Sequence, residues 1–166
     1  KIKEIVRLIL DCYKSKGKVV LFGNGGSAAD AQHIAAELAG RYKIERKSLP
    51  AIALTTNTST ISAIGNDYGF DRVFERQVEG LVDNRDIVIG ISTSGNSENV
   101  LRGILKAKQV GAKTVVFTGR GGGKLKNEVD ILLDIPSDNT PRIQEAHILV
   151  GHIICGIVEK EIFKYE

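Results

Sequence analysis

The chain has 166 residues, which suits a single domain with a hydrophobic core of its own. Hydrophobic residues make up 42% of it and charged residues 26%, the usual balance of a globular protein. The net charge of +3 fits an anionic small molecule, and no apolar run approaches the roughly 18–20 residues of a membrane-spanning helix. The densest basic stretches, 41–47 and 119–126, lack the aromatic residues of a nucleic-acid groove and are interpreted as solvated loops. We therefore expect no nucleic-acid and no membrane partner.

Short apolar segments rich in β-branched residues alternate with helical patterns along the chain. The expected strands are 18–22, 51–54, 86–92, 113–119 and 130–135, and the expected helices are 27–42, 58–65, 74–82, 98–111 and 141–166. Strands that are apolar throughout are typical of a parallel sheet buried on both faces. The alternation predicts right-handed βαβ crossovers in a single, doubly wound α/β domain over residues 1–166.

A glycine-rich turn, GNGG (23–26), follows the first predicted strand and precedes a helix that carries a buried-looking histidine. Ser27 and Asp30 have the spacing of a capping box, which predicts that this helix starts at Ser27. The free N–H groups of its first turn would favour an anion in the glycine turn. The turn lacks the lysine of a GxxxxGK[ST] loop, which argues against ATP. It matches the GxGxx[GA] dinucleotide fingerprint, but no acid follows the second strand at 55–60 to hold a ribose.

A second polar loop, STSGNS (92–97), lies between the third predicted strand and the next helix. Its four hydroxyl residues are Ser92, Thr93, Ser94 and Ser97. In a doubly wound sheet both loops would lie at the carboxyl edge of the strands, where ligands bind. Hydroxyl groups, backbone N–H groups and a helix N-terminus can hold a phosphate monoester without a basic residue. The sequence thus favours a phosphate site here, with two unrelated serine-rich turns as the alternative.

Titratable side chains on two predicted helices form a candidate cluster. His33 and Glu37 lie one turn apart, about 40° around the helix axis, so both can reach one point. On the last helix Gln144 lies about 80° and Glu145 about 20° from His152, and geometry alone does not choose between them. A lone histidine on a helix is usually a core residue with its hydrogen bonds satisfied. Two histidines and a glutamate on apolar helices are costly to bury unless they are paired or bound to a metal. Such a cluster would suit Zn²⁺ or a similar ion, or proton transfer between adjacent carbons of a sugar.

The last predicted helix, 141–166, is apolar on more than one face. Its apolar residues are Ile143, Leu149, Val150, Ile153, Ile154, Ile157, Val158 and Ile162. A terminal helix with so wide an apolar surface usually packs against more than its own sheet. We therefore expect an oligomer with this helix in the interface.

The two cysteines, Cys12 and Cys155, lie far apart in apolar surroundings. They form neither a CxxC pair nor a disulfide framework, and no signal-peptide pattern opens the chain. Reduced thiols are expected, which indicates a cytoplasmic protein.

Four motifs taken together resemble the phosphoheptose isomerases, enzymes with the sugar-isomerase (SIS) fold. They are GNGGSAADAQHIAAEL (23–38), IGNDYGF (64–70), GISTSGNSENV (90–100) and RIQEAHILVGHIICGIVEKE (142–161). The resemblance runs from about residue 17 to the end, with the motifs in the family's order. It implies a three-layer αβα sandwich with a five-stranded parallel sheet of the flavodoxin-like type. It also implies a homotetramer with active sites between subunits, and a further helical segment before Lys1.

The resemblance implies isomerisation of sedoheptulose 7-phosphate to D-glycero-D-manno-heptose 7-phosphate through an enediol, the first step of bacterial heptose biosynthesis. By position, the four hydroxyl residues would hold the phosphate, and Asn24, Gly25, Gly26, Ser27, Asn66 and Asp67 would lie near the sugar. Gln144 matches the glutamine of the family's RIQE motif, which decides between it and Glu145. The zinc ligands would be His33, Glu37, Gln144 and His152, with one ion per subunit. Glu37 and His152 also match the acid–base pair, and our hypothesis is that Glu37 is the base. The destination of the product, whether lipopolysaccharide, S-layer glycan or capsule, stays open.

Two other functions stay open at this point. SIS domains include a non-catalytic tetramer that binds the replication initiator, but that family lacks counterparts of Glu37 and His152, which argues for catalysis here. An isomerase of another phosphosugar, such as an arabinose or hexulose phosphate, is the other alternative. The role of the GRGGGK segment (119–124) stays open, and the preferred interpretation is a flexible surface turn.

Overall fold

The structure, a computed structural model, describes residues 1–164. The helices are α1 (Ile2–Lys14), α2 (Gly26–Ala39), α3 (Thr58–Tyr68), α4 (Val73–Leu81), α5 (Glu98–Gln109) and α6 (Thr140–Phe163). The strands are β1 (Val19–Gly23), β2 (Ala51–Ala53), β3 (Ile87–Ser92), β4 (Lys113–Thr118) and β5 (Ile131–Asp134), with short 3₁₀ turns at Phe70–Arg72 and Gly123–Asn127. Every predicted strand and helix is present, with ends shifted by a few residues. The end of the last predicted helix, at 165 and 166, lies outside the described residues.

All five strands pair in parallel, in the order β2-β1-β3-β4-β5. Val19 of β1 lies between Ala51 of β2 and Ile87 of β3. Strands β1 and β3 are buried along their whole length, as their continuous apolar sequences predict. The predicted parallel sheet and its flavodoxin-like order are confirmed. Because the order reverses between β1 and β3, a crevice forms beyond their carboxyl ends.

Two hydrophobic cores lie on opposite faces of the sheet. Helices α1, α2 and α6 cover one face, and α3, α4 and α5 cover the other. The first core includes Ile5, Ile34 and Val158, and the second includes Phe74 and Ile104 with Ile64 packed against them. The predicted three-layer αβα sandwich is thereby confirmed. Within residues 1–164 no helix is long and apolar enough to cross a membrane.

The start of α2 differs from the prediction. Gly25, with a φ of 55°, precedes the helix, which begins at Gly26 rather than at Ser27. The N–H of Ser27 donates to the carbonyl oxygen of Asn24 at 3.0 Å, and no side chain caps the helix. The predicted capping box of Ser27 and Asp30 is wrong. Because glycine adopts a positive φ readily, the turn closes one residue earlier and Ser27 lies inside the first helical turn.

Candidate active site

The loops after β1 and β3 lie side by side at the carboxyl edge of the sheet. β1 ends at Gly23 and β3 at Ser92, and Gly23 lies opposite Ile91 in the parallel pair. Helices α2 and α5, which follow the two loops, cover opposite faces of the sheet. This is the switch point at which open α/β sheets bind ligands. The predicted placement of both loops at one edge is therefore confirmed.

Glycine lets other parts of the chain approach the first loop closely. A Cβ on Gly23 would lie 2.7 Å from the carbonyl oxygen of Ile91. A Cβ on Gly26 would collide with the side-chain amide of Gln144 on α6. Gly25 is exposed, and nothing lies within 4 Å of where its Cβ would be. The loop is thus packed against β3 and α6 on its inner side and open on its outer side, where a ligand can lie against the backbone.

The hydroxyl groups of the second loop converge near the N-terminus of α5. Ser92 is buried, and its Oγ lies 3.0 Å from the Oγ of Ser97, the residue before α5. The N–H of Asn96 donates to the Oγ of Ser94 at 3.1 Å. Thr93 is half-buried and Ser94 is exposed. Since several hydroxyl groups and a helix N-terminus lie within one short turn, the loop suits a phosphate group.

The glycine-rich segment 121–123 packs against this serine loop. The Oδ1 of Asn96 accepts a hydrogen bond from the N–H of Lys124 at 3.0 Å. A Cβ on Gly123 would lie 2.6 Å from the carbonyl oxygen of Ser94, so a larger residue would push the two segments apart. Gly121 and Gly123 are exposed, as expected of a surface turn, and the backbone of the segment also lies against the serine loop, so its role in the site stays open.

Three of the predicted cluster residues, His33, Glu37 and His152, meet on the outer side of α2 and α6. The Nε2 of His33 lies 3.1 Å from the Oε1 of Glu37 and 3.2 Å from the Nε2 of His152. One ligand atom from each residue lies within 4.8 Å of the others. The side chain of His33 is 48% exposed and that of Glu37 23%, so the expectation of a buried histidine is wrong for the single chain. Two imidazoles and a carboxylate at these distances can hold a metal ion or move protons to and from a bound molecule.

A glycine on α6 brings the two helices together at the cluster. A Cβ on Gly151 would lie 2.7 Å from the Cδ1 of Ile34, so the residue before His152 packs directly against the residue after His33. The two imidazole rings are consequently 4.9 Å apart at an interplanar angle of 71°. The ring of Tyr42 lies 5.8 Å from that of His152. The spacing of the cluster thus follows from close contact between α2 and α6.

A buried ion pair fixes the C-terminal end of α2 to α6. The side chains of Arg46 and Glu159 are each 1% exposed, and the Nε of Arg46 donates to the Oε1 of Glu159 at 2.9 Å. The same guanidinium donates to the carbonyl oxygens of Glu37 and Leu38 at 2.8 Å, at the end of the helix where carbonyls lack intrahelical partners. Glu159 also accepts the N–H of Tyr42 at 3.0 Å. Because this pair fixes the backbone on both sides of the cluster, it positions Glu37 relative to α6.

Gln144 and Glu145, the two candidate partners of His152 on α6, point in different directions in the structure. The side-chain amide of Gln144 lies against Gly26 in the first turn of α2. The carboxylate of Glu145 is exposed and accepts a 2.7 Å hydrogen bond from Arg142 on the surface of α6. Gln144 therefore faces the first turn of α2, and its role as a metal ligand stays a prediction.

The third histidine, His147, belongs to the core. It is fully buried, and its Nε2 lies 3.0 Å from the carbonyl oxygen of Thr118. Burial lowers the pKa of its imidazole, so the neutral ring is favoured. His147 lies about 140° around the helix axis from His152, which keeps it away from the cluster.

Asn66 and Asp67 lie apart from the cluster within one chain. They are at the end of α3, which packs on the opposite face of the sheet from α2 and α6. Both side chains are exposed, and the Nδ2 of Asn66 donates to the Oδ1 of Asp67 at 2.8 Å. In the part of the chain that the structure describes, no hydrogen bond or ion pair joins them to the cluster or to the two loops.

Sequence reasoning misses two pairs of residues that shape the site. The side chain of Asn24, which the resemblance places near the sugar, is paired with the buried Asn99. Arg46 lies in the basic stretch interpreted as a solvated loop, and that interpretation is wrong for its buried guanidinium. A signal was available for Glu159, because it lies one turn after Cys155 on the buried face of α6. No comparable signal marks Asn99 or Arg46.

Comparison with known proteins places the chain in a family. A sequence model of the SIS domain matches residues 1–119. A phosphoheptose isomerase from Sulfurimonas denitrificans is 58% identical over 163 residues, which cover 98% of this chain and 84% of that protein. The solved phosphoheptose isomerase from Neisseria gonorrhoeae superposes with a TM-score of 0.91 at 46% identity, covering 96% of this chain and 85% of that one. The one from Francisella tularensis gives a TM-score of 0.93 at 41% identity with the same coverage. The chain therefore belongs to the SIS-domain family, among the phosphoheptose isomerases.

Proposed function

We propose that this chain converts sedoheptulose 7-phosphate to D-glycero-D-manno-heptose 7-phosphate. Relatives named phosphoheptose isomerase, more than half identical across nearly the whole chain, support an isomerase of this substrate class. The observation that carries the proposal is the meeting of His33 and Glu37 with His152, which lies 119 positions from His33 in the sequence. A non-catalytic SIS domain would have no use for such a cluster.

The proposed chemistry moves protons between adjacent carbons and their oxygens. Starting from the ketose, Glu37 removes a proton from C1 while His152 donates one to the carbonyl oxygen at C2, which gives a 1,2-enediol. Glu37 then returns its proton to C2, and His152 takes the hydroxyl proton from the oxygen at C1, which becomes the aldehyde. Each side chain ends in the protonation state in which it began, so the pair is ready for another turnover.

The two loops would bind the rest of the substrate. Ser92, Thr93, Ser94 and Ser97 would hold the phosphate at the N-terminus of α5. Around the sugar would lie Asn24, Gly25, Gly26, Ser27, Glu37, Asn66, Asp67 and Gln144. The open outer side of Gly25 supports this placement, because it leaves free space beside the loop, and the amide of Gln144 lies next to Gly26 in the same loop.

His33, Glu37, Gln144 and His152 would hold one Zn²⁺ per subunit. Bonds of about 2.0–2.1 Å in tetrahedral geometry place ligand atoms about 3.3 Å apart. The distances of 3.1 and 3.2 Å within the cluster are close to that value. Two nitrogen and two oxygen donors suit Zn²⁺ or a similar divalent ion, which when bound would polarise the oxygens of the substrate. Since Glu37 and His152 serve both as ligands and as acid and base, at least one of them must be released when substrate binds.

The active enzyme would be a homotetramer with its sites between subunits. Leu149 and Ile153 are 60% and 40% exposed, and with His152 they line a concavity of about 610 Å³ on the outer face of α6. Exposed apolar residues beside a reactive cluster favour an interface there. Asn66 and Asp67, which lie on the other face of their own sheet, would then come from a neighbouring subunit.

We place the enzyme in the cytoplasm. Cys12 and Cys155 are both free and buried. Burial raises the pKa of these thiols to about 11 and about 12, respectively, which keeps them protonated and unreactive. Unpaired structural thiols are typical of a reducing compartment. The extent of the SIS domain over 1–166 and the helical segment before Lys1 stay predictions.

The test is to incubate the purified chain with sedoheptulose 7-phosphate and to follow formation of the aldose by NMR, with and without a chelator. We expect turnover, and restoration by Zn²⁺ of any activity lost on chelation. Metal analysis should give one zinc per chain, with a lower content in His33→Ala than in the exposed neighbour control Gln32→Ala. No turnover, together with tight binding to a replication initiator, would contradict the proposal.

A further inference from the structure

A reciprocal pair of amides joins the glycine loop to the first turn of α5, the helix that directly follows the serine loop. The Nδ2 of Asn24, in the glycine loop, donates to the Oδ1 of Asn99 at 2.8 Å, and the Nδ2 of Asn99 donates back to the Oδ1 of Asn24 at 2.9 Å. Asn99 is the second residue of α5 and is 4% exposed. Its Oδ1 also accepts the N–H of Val100 at 2.9 Å.

This pairing uses much of the hydrogen-bonding capacity of Asn24. Its oxygen and one of its two N–H bonds are directed at Asn99, so its side chain cannot turn toward a sugar while the pair is intact. Turning away would leave the buried Nδ2 of Asn99 without its acceptor and its Oδ1 with the N–H of Val100 alone, which is unfavourable. Among the groups of Asn24, the backbone and one remaining N–H are left for a ligand.

The position of the pair gives it a second consequence. Asn24 directly follows β1, and Asn99 lies two residues after Ser97, whose hydroxyl contacts Ser92 at the end of β3. The strands fix the inner ends of the two loops, because Gly23 lies opposite Ile91 in the ladder. The amide pair adds a second link, between the first residue after β1 and the first turn of α5.

We propose that Asn99 is a positioning residue that holds the glycine loop and the serine loop at the separation a sugar phosphate requires, and that the side chain of Asn24 acts through Asn99 rather than on the substrate. The part of this inference that concerns a sugar phosphate rests on the function proposed above. The link between the two loops is independent of that function, because it rests on the hydrogen bonds alone.

A double-mutant cycle tests whether Asn24 acts through Asn99. The variants are Asn24→Ala, Asn99→Ala and the double variant, with Asn127→Ala, an exposed asparagine, as the matched control. Binding is measured with the polyol phosphate obtained by reducing sedoheptulose 7-phosphate, which cannot isomerise, alongside KM and kcat for the substrate. We expect each single variant to raise Kd and KM about tenfold with a smaller change in kcat, and the double variant to raise them no further. The control should match the unmodified chain.

Two results would overturn the proposal. One is a large effect of Asn24→Ala with none of Asn99→Ala, and the other is a double variant whose effect is the product of the two single ones. Either would mean that Asn24 contacts the substrate directly. If the alanine variants fail to fold, Asn24→Asp and Asn99→Asp keep the side-chain volume but replace the NH2 group and its two N–H donors by a carboxylate oxygen, and the same comparison applies.

A ligand-free measurement separates this proposal from the proposed function. Amide hydrogen exchange over residues 92–98 is followed by mass spectrometry in Asn24→Ala and in the control. We expect faster exchange in the serine loop when only the glycine loop is changed, because the amide pair transmits the constraint. Unchanged exchange there would show that the pair does not link the loops, even in an active isomerase. Failure of the unmodified chain to bind or convert any heptose phosphate would instead count against the proposed function.

Discussion

The cluster on α2 and α6 and the loops at the ends of β1 and β3 are built in contrasting ways. The loops are made largely of backbone, glycine and small hydroxyl residues, and Ser92 and Asn99, which lies in the first turn of α5, are both buried. The cluster is made of long side chains on the outer faces of helices, with His33 nearly half exposed. The groups suited to binding a phosphate are therefore organised by contacts within the single chain, whereas the groups suited to proton transfer lie on its open surface. This difference predicts that changes in the loops act on substrate affinity and that changes in the cluster act on turnover.

The largest effect is expected for Glu37→Gln. The substitution keeps the shape of the side chain but removes the base, so kcat should fall by about 10²–10⁴ while KM changes little. The measurements are kcat and deuterium incorporation from D₂O at the isomerised carbons. Glu45→Gln is the matched control, because Glu45 is 92% exposed in the loop after α2. Survival of proton exchange in Glu37→Gln, at unchanged zinc content, would remove Glu37 from its assigned role.

A somewhat smaller effect is expected when the outer face of α6 is made charged. Since we propose that this face lies in an interface between subunits, Leu149→Glu should weaken those contacts, disturb the geometry of the cluster and lower kcat by about a hundredfold. Sedimentation velocity gives the assembly state, and binding of the polyol phosphate should change less than kcat. Leu105→Glu, on α5 and 40% exposed, is the control and should stay assembled. A fully active, monomeric Leu149→Glu would show that the cluster is complete in one chain.

In the loops, Ser92→Ala should raise KM about tenfold and leave kcat nearly unchanged. The buried hydroxyl lies 3.0 Å from that of Ser97, and its loss removes one hydrogen-bonding group from the phosphate site that we propose. Ser62→Ala, on the exposed side of α3, serves as the control. A fall in kcat at constant KM would contradict the expectation that changes in the loops act on substrate affinity.

The smallest effect is expected behind the serine loop, where Gly123→Ala should raise KM by a few-fold. The added methyl group would lie 2.6 Å from the carbonyl oxygen of Ser94 and would displace that loop. Gly121→Ala is a close control, because its φ of 78° imposes similar backbone strain but no atom lies within 4 Å of the added methyl group. Equal values of KM in the two variants would mean that strain, rather than contact with the loop, sets the outcome.

What the sequence could predict followed from periodic patterns. Continuous apolar runs identified all five strands, and the rule for doubly wound sheets placed the loops after β1 and β3 together. The one-turn spacing of His33 and Glu37 predicted that they reach one point, and they do. Such features depend on local spacing and on the general geometry of α/β folds.

What it could not predict depends on contacts between distant segments. The exposure of His33 depends on how α2 meets α6, which the small residue Gly151 controls. The start of α2 depends on the positive φ of Gly25, whereas the pattern of Ser27 and Asp30 suggested a side-chain cap. Gly123 packs against Ser94, and no pattern in either segment of the sequence predicts this contact. The choice of Gln144 over Glu145 came from family resemblance and not from helix geometry.

The ion pair of Arg46 and Glu159 has a consequence for biosynthesis. Its partners are 113 positions apart, and Glu159 lies near the C-terminus of the described chain. While the protein is being synthesised, the end of α2 and its arginine exist well before the glutamate that completes them. A truncated chain that lacked the end of α6 would retain a buried cation without its counterion, which is strongly destabilising. Incomplete copies should therefore be poorly folded and open to proteolysis, so that only full-length chains persist to form the cluster.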